Sequence, residues 1–412
     1  MLRQIFLVLG LVLILVACEG AQNPMPTNPT EPTNPTNPTN PDSGSCTYVL
    51  TKNITVPSRL VNTPAACDYS LEGYVKISST LLIDPGVRVV AKQDADIVVD
   101  GGQIIAVGTP EQRIVMEGLN PIAGYWGGIR FYEGRESQFE YFDLKDAGQV
   151  CTIMWCPDAA LIFDDVTVSL ANSSVSNSYV HGLHATSDVL FTKFENNRFY
   201  NNIFAGIFIS AVHIDTLDVG SDYSGEPEPN GMPYVFLTNG DLESGDTRRW
   251  KNLNAPYFID GYLDIEGGIV IIEPGVSVVF DEGSWLHVKG NGELRAVGTA
   301  DKRISFIGER DKAGYWDGIT FWDSDWEENE LSYVDIKHSG NDDSLVAAYG
   351  GVRMKYTSSL KVNNSTFSDN AKFGISCDKP DRFDTVTLTL GSGNSFSNNA
   401  LGDIDPDCEV MP

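Results

Sequence analysis

AGYWGGIRF (123–131) returns later in the chain as AGYWDGITF (313–321), and this duplication decides the fold. Three flanking segments recur in the same order: IDPGVRVV (83–90) as IEPGVSVV (272–279), AVGTPEQRI (106–114) as AVGTADKRI (296–304), and YFDLKDAG (141–148) as YVDIKHSG (333–340). Four ordered matches at nearly constant spacing exclude chance. The chain therefore contains one structural unit twice, and we place copy one at 46–240 and copy two at 241–412.

Each copy has the residue pattern of short β-strands. Runs such as VRVV (87–90) and QIIAV (103–107) are separated by glycine, and no long stretch shows the period of a helix. Pro85-Gly86 and Pro274-Gly275 fit the two central positions of a type II turn, where glycine supplies the positive φ. Such turns lead from one strand to the next, so the pattern predicts an all-β fold.

A shorter motif with the spacing F-x-x-N-x-x-x-G-I recurs late in each copy. It occupies residues 199–207 and 367–375, and a looser version occupies 396–402. The phenylalanine and isoleucine are predicted to point into a stacked core. The asparagine is expected at a turn, where it tolerates left-handed geometry and hydrogen-bonds its neighbours in the stack.

These motifs resemble the repeats of right-handed parallel β-helix proteins of bacterial surfaces, a pectate-lyase-like solenoid family. The resemblance covers nearly all of residues 48–405. It implies coils that each bury their strands against the next, about 13–17 of them at roughly 20–30 residues per coil. Lyases, hydrolases, adhesins and scaffolds all use this fold, so the resemblance predicts the fold and not the function.

The N-terminus has the layout of a secretory signal. Arg3 precedes an apolar run, and Leu15-Val16-Ala17-Cys18 follows. This resembles the lipobox of bacterial lipoproteins, which implies that residues 1–17 are removed and that Cys18 is lipidated. The alternative is an ordinary signal peptide with a chance cysteine. We expect a protein of the bacterial cell envelope, lipid-anchored at the outer membrane or the cell surface.

Residues 18–45 are predicted to be a disordered tether behind the lipidated Cys18. Their repeated Thr-Asn-Pro composition favours extended polyproline II structure over a packed core. The whole chain has a formal net charge of −28. Such a charge repels nucleic acid and suits divalent cations or basic ligands.

The remaining six cysteines suggest disulfides, since an exported protein meets an oxidising compartment. Six cysteines allow 15 pairings. Proximity in the sequence favours three pairs: Cys46–Cys67, Cys151–Cys156 and Cys377–Cys408.

Residues that differ between the copies are better candidates for a site than residues that are duplicated. Trp126 and Trp316 are duplicated and are predicted to pack in the core, with sugar stacking as the alternative. The copies diverge after YFDLKDAG and YVDIKHSG, and the predicted binding residues Trp155, Asp342 and Asp343 lie in the divergent segments. Lys337 and His338, which directly precede the divergent segment of copy two, are predicted to bind as well. Calcium is the one cofactor that the sequence suggests, with carboxylate ligands from Asp323, Asp325 and Glu327. These residues lack the ordered spacing of a known calcium loop, so an acidic surface turn is the favoured interpretation.

Two functions remain open. The favoured one is a non-enzymatic envelope lipoprotein whose rigid β-helix binds a glycan, a matrix component or a surface protein. The alternative is a polysaccharide lyase or glycoside hydrolase of the β-helix type. An enzyme of this type needs a concave groove where carboxylates and a basic residue converge.

Overall fold

The structure, a computed structural model, describes residues 46–148, 159–243, 245, 247–341, 350–378 and 385–411. This part of the chain is almost entirely β-structure, with one 3₁₀ helix at Ala211–Thr216. Every strand pairing in it is parallel. The predicted parallel β-helix solenoid is therefore confirmed. None of the described helical segments is long and apolar enough to cross a membrane.

Each coil of copy one has three faces. The first face contains β1 (Tyr48–Leu50), β3 (Tyr69–Leu71), β6 (Arg88–Ala91), β8 (Ile114–Gly118), β10 (Phe142–Lys145), β13 (Ser174–Ser176) and β16 (Arg198–Tyr200). The second contains β4 (Tyr74–Ile77), the first parts of β7 (Asp96–Val107) and β9 (Gly128–Glu140), β11 (Ala159–Phe163), β14 (His181–Ala185) and β17 (Ile207–Ser210). The third contains β2 (Ser58–Leu60), β5 (Thr80–Ile83), the last parts of β7 and β9, β12 (Val166–Ala171) and β15 (Leu190–Glu195).

The strands from β18 (Val235–Thr238) onward repeat the three faces and are counted here with copy two, although β18 lies just before the boundary of 240 and 241 that the sequence suggested. The first contains β18, β21 (Tyr257–Ile259), β24 (Ser277–Phe280), β27 (Ile304–Gly308), β30 (Val334–Lys337), β33 (Thr366–Ser368) and β36 (Ser395–Ser397). The second contains β19 (Gly240–Leu242), β22 (Tyr262–Glu266), β25 (Trp285–Lys289), β28 (Gly318–Trp322), β31 (Gly350–Lys355), β34 (Phe373–Cys377) and β37 (Gly402–Ile404). The third contains β20 (Thr247–Trp250), β23 (Ile269–Ile272), β26 (Glu293–Val297), β29 (Glu330–Ser332), β32 (Ser358–Asn363), β35 (Val386–Leu390) and β38 (Val410–Met411).

The two copies join with a shift of one face. β17, on the second face of copy one, pairs with β18, which is on the first face of copy two. The first face of copy one ends at β16, while the second and third faces of copy two begin as new sheets at β19 and β20. One sheet therefore runs through the junction, and it combines two faces that do not correspond in the repeat.

The core is a continuous stack of apolar side chains inside the coils. Trp126 and Trp316 are fully buried, and their indole N–H groups donate hydrogen bonds to the carbonyl oxygens of Lys145 (2.8 Å) and Lys337 (2.7 Å). Because neither ring reaches solvent, the packing prediction is confirmed and sugar stacking on these rings is excluded.

Two adjacent residues at each turn perform the two roles that were expected of a single asparagine. Asn201 takes the left-handed backbone conformation (φ 54°), as the geometry of the turn requires. Asn202 is buried beside it, accepts a hydrogen bond from the Ser178 amide and donates one to the side chain of Asn230. Asn370 does the same in copy two, with Ser339 and Asn399 as partners. Buried asparagines thus satisfy backbone groups of neighbouring coils.

Two predicted features of the chain ends and turns are present. Disulfides join Cys46 to Cys67 and Cys377 to Cys408, which ties down the first and last coils. Gly86 and Gly275 have φ angles of 82° and 90°, as the type II turns require.

Candidate functional site

Several residues predicted from the sequence lie outside the described residues. They are the lipidation residue Cys18, the loop cysteines Cys151 and Cys156, and the binding candidates Trp155, Asp342 and Asp343. Their roles stay predictions.

The carboxylates proposed for calcium lie on an exposed turn after β28. Asp323, Asp325 and Glu327 are all exposed. Across the described ranges, no group of three or more His, Cys, Asp or Glu residues is placed to hold a metal ion. The turn is held instead by Trp326, whose indole N–H donates a hydrogen bond to the Asn291 carbonyl (2.8 Å). Calcium binding here stays a prediction.

Lys337 and His338 do line a concavity, which measures about 750 Å³ and lies on the first face of copy two. Asp311, Asp335 and Asp369 line it as well. A hydrogen bond from the side chain of Asn398 (3.0 Å) lowers the pKa of Asp369. We call this site the lysine concavity.

The two copies differ at this lysine. Lys145 in copy one lies 3.9 Å from Glu117, which also pairs with Arg88. In copy two Ile307 occupies the position of Glu117, and the concavity lies beside it. At this position copy two therefore lacks a lysine–glutamate contact that copy one has, and a concavity lies beside the lysine.

A larger site, which sequence reasoning missed, lies where the copies join. On the outer surface of the continuous sheet, one row of paired residues crosses the junction: His184 on β14, Phe208 on β17, Phe236 on β18 and Phe258 on β21. In copy one the counterpart of Phe258 is Ser70, so the scaffold itself does not require an aromatic ring there.

The rings in this row contact one another. Phe208 stacks on His184, with ring centroids 4.7 Å apart, and on His181 at 5.0 Å. Phe236 contacts Phe258 at 4.4 Å. His181 and Phe208 are only half-buried. Phe236 and Phe258 are buried in a small outer cluster, against which Met232 and Tyr234 pack. The half-buried rings form an apolar floor that remains partly open to solvent.

Two adjoining concavities of about 640 and 420 Å³ lie over this floor and share Thr238 and Asn239. We call them together the junction groove. His184 lines the larger one, while His181, Phe208 and Phe236 line the smaller one. Volumes of this size are typical of ligand sites, which combine apolar walls with a few polar groups.

The polar side of the junction groove is acidic. Four exposed carboxylates line it, and we call them the acidic rim: Asp188, Asp241, Glu243 and Asp260. No described lining residue of the groove is a lysine or an arginine. Burial and the neighbouring Asp281 carboxylate raise the pKa of Asp260.

The sequence did contain a signal for this floor. Ile207-Phe208-Ile209, Val235-Phe236-Leu237 and Tyr257-Phe258-Ile259 each place phenylalanine between two inward-facing apolar residues. Such uninterrupted apolar runs read as strands buried on both sides, which conceals the outward position of the rings.

Comparisons with known proteins add little. No protein-family model matches the chain, and no curated protein is significantly similar to it. A solved structure of the periplasmic alginate epimerase AlgG is similar at 12% identity and a TM-score of 0.21, over 84% of this chain and 77% of that one. A double mutant of AlgG gives 12% identity and a TM-score of 0.22, over 82% and 76%. Similarity at this level carries no argument about function.

Proposed function

We propose that this protein is a lipid-anchored component of the bacterial cell envelope that binds a non-acidic glycan in the junction groove without cleaving it. The observation that carries the proposal is the stack of the half-buried rings of His181, His184 and Phe208 at the floor of the groove. Loops that vary on a constant scaffold commonly carry function. The outward-facing row of rings also varies between the two copies, so it is a candidate for function on the same grounds.

The chemistry of the groove suits a sugar chain. A sugar ring has an apolar C–H face, which packs on flat rings such as Phe208 and His181. Its hydroxyl groups donate hydrogen bonds to carboxylates such as Asp260 and to the side chain of Asn239. An acidic polysaccharide is disfavoured, because the acidic rim and the net charge of −28 repel it.

The glycan proposal predicts that Phe208→Ala weakens binding about tenfold, because a partly buried ring at the centre of a site contributes more than 1 kcal/mol on truncation. A glycan array on the purified protein identifies the ligand, and calorimetry measures the change. Tyr132→Ala is the control, since Tyr132 is exposed on β9 and does not line the groove. Equal affinities for both variants would contradict the assignment of the groove.

The envelope location depends on the predicted lipidation of Cys18. Several acyl chains give stable membrane attachment, because each buried CH₂ contributes about 0.8 kcal/mol. Cys18→Ser is therefore expected to move the protein from the membrane fraction to the aqueous fraction of cells. Fractionation by detergent phase separation measures this, and the same change in an exposed residue such as Tyr74→Ser should leave the protein in the membrane. A Cys18→Ser protein that stays with the membrane would defeat the anchor.

A second function, polysaccharide lyase or hydrolase, is favoured by one observation. The lysine concavity brings Lys337 and His338 together with the carboxylates of Asp311 and Asp369, which is the convergence that an enzyme of this fold needs. Mass spectrometry of the bound glycan after long incubation separates the two functions. Shortened or unsaturated products that disappear in Lys337→Ala would establish the enzyme.

A further inference from the structure

One part of the acidic rim, at Asp260, is a departure of copy two from the scaffold that both copies share. In copy one Glu72 and Lys92 form an ion pair of 2.6 Å between neighbouring coils. Their counterparts in copy two are Asp260 and Asp281, two carboxylates in place of a pair of opposite charge. The scaffold tolerates the neutral pair, so stacking does not require this excess of negative charge.

The other three residues of the acidic rim add to this negative charge. Asp188 follows β14, while Asp241 and Glu243 lie on or just after β19, and all three line the larger part of the groove. With no lysine or arginine among the described lining residues, the groove attracts cations.

The floor of the groove favours the same kind of ligand. Phe208 presents a half-buried aromatic ring, and a protonated amine is attracted to the face of such a ring by its quadrupole. The groove therefore offers three attractions together: apolar ring faces, cation–π contact and a negative rim. A neutral sugar packs on the ring faces and hydrogen-bonds to the rim, but it gains neither the cation–π contact nor the attraction between opposite charges.

We infer that the glycan of the junction groove carries free primary amino groups, so that its units are amino sugars without N-acetylation. The ring faces hold the sugar C–H surface, and the acidic rim holds the ammonium groups. This inference rests on the proposed function and specifies the ligand class of the same site.

The test compares three hexasaccharides with the same linkage on the full-length protein: glucosamine, N-acetylglucosamine and glucose hexamers. Calorimetry at low salt, and at a mildly acidic pH that keeps the amines protonated, gives the affinities. The glucosamine hexamer is expected to bind about tenfold or more tightly than the other two. Its advantage should shrink as salt rises, because the Debye length falls to about 10 Å at 0.1 M.

Charge variants locate the effect. Asp188→Asn combined with Asp260→Asn is expected to remove most of the advantage of the glucosamine hexamer and to change the affinity of the N-acetylglucosamine hexamer little. Glu111→Gln combined with Asp301→Asn is the matched control, since both residues are exposed, the pair removes the same two negative charges and neither residue lines the groove. Preserved selectivity in the rim double variant overturns the inference.

The outcomes separate the inference from the function beneath it. If none of the three hexamers binds, the proposed glycan function fails. If all three bind equally, the glycan function stands and the amino-sugar inference fails. If a lysine hexamer binds as tightly as the glucosamine hexamer, the rim recognises a basic peptide and the amino-sugar inference fails as well.

Discussion

Trp316→Ala should lower the free energy of unfolding by about 3–5 kcal/mol, which is the usual cost of deleting a fully buried tryptophan. The Trp316 ring is fully buried and stacks on Phe280 with centroids 3.9 Å apart. Its removal also leaves the Lys337 carbonyl without the indole donor. Because the next coil stacks on this one, the void cannot be filled without moving both neighbours.

Trp326→Ala is the matched control for this loss. Trp326 also donates its indole N–H to a backbone carbonyl, that of Asn291 at 2.8 Å, but 43% of the side chain is exposed. We expect a loss of no more than about 1 kcal/mol, the ordinary net value of one hydrogen bond. Urea denaturation followed by circular dichroism measures both variants. Equal losses would mean that the hydrogen bond and not burial stabilises the coil at Trp316.

Much of the fold was predictable because its signals are local and repeated. Pro85-Gly86 specifies a turn by the φ angles of the two residues alone, and the buried face of YWGGI follows from alternation. The duplication then reinforces each local signal with a second copy. The Cys46–Cys67 and Cys377–Cys408 pairs were favoured by proximity, since each pair lies about one coil apart.

The junction could not be predicted, because it depends on how two complete units stack. The residues of β18 can pair with either face of the preceding coil without any change in their inward and outward alternation. Whether β18 follows β16 or β17 is decided by the packing of the whole coil that contains the 3₁₀ helix Ala211–Thr216. The junction groove forms because β18 pairs with β17. Since that pairing could not be predicted, the candidate site could not be predicted either.

The divided role of asparagine was also beyond the sequence. The pattern places two polar residues at the turn, Asn201 and Asn202, and either one fits left-handed geometry. Contacts with the neighbouring coil determine which of the two side chains points inward and hydrogen-bonds to Asn230. The surroundings of Lys337 could not be predicted from the sequence either, because they depend on Ile307, a residue from the neighbouring coil.

Asn202→Ala should lower the free energy of unfolding by about 2–4 kcal/mol, because Asn202 is buried between coils. The side chain is 2% exposed, accepts a hydrogen bond from the Ser178 amide (3.0 Å) and donates one to Asn230 (2.9 Å). Alanine leaves the buried Ser178 amide without an acceptor, which costs about 1–3 kcal/mol, and it removes the hydrogen bond to Asn230, which contributes about 1 kcal/mol. The Asn230 side-chain oxygen still accepts a hydrogen bond from the backbone N–H of residue 202 (3.1 Å). Urea denaturation measures the change.

Asn201→Gly is the matched control, because Asn201 is the adjacent asparagine, is exposed and has a φ of 54°, which glycine adopts without strain. We expect its loss to stay within about 0.5 kcal/mol, the range of ordinary surface changes. A loss at Asn201 equal to that at Asn202 would show that the turn itself limits stability. If the loss is confined to Asn202, the stability comes from its side-chain hydrogen bonds, which join the coils through their buried backbone groups.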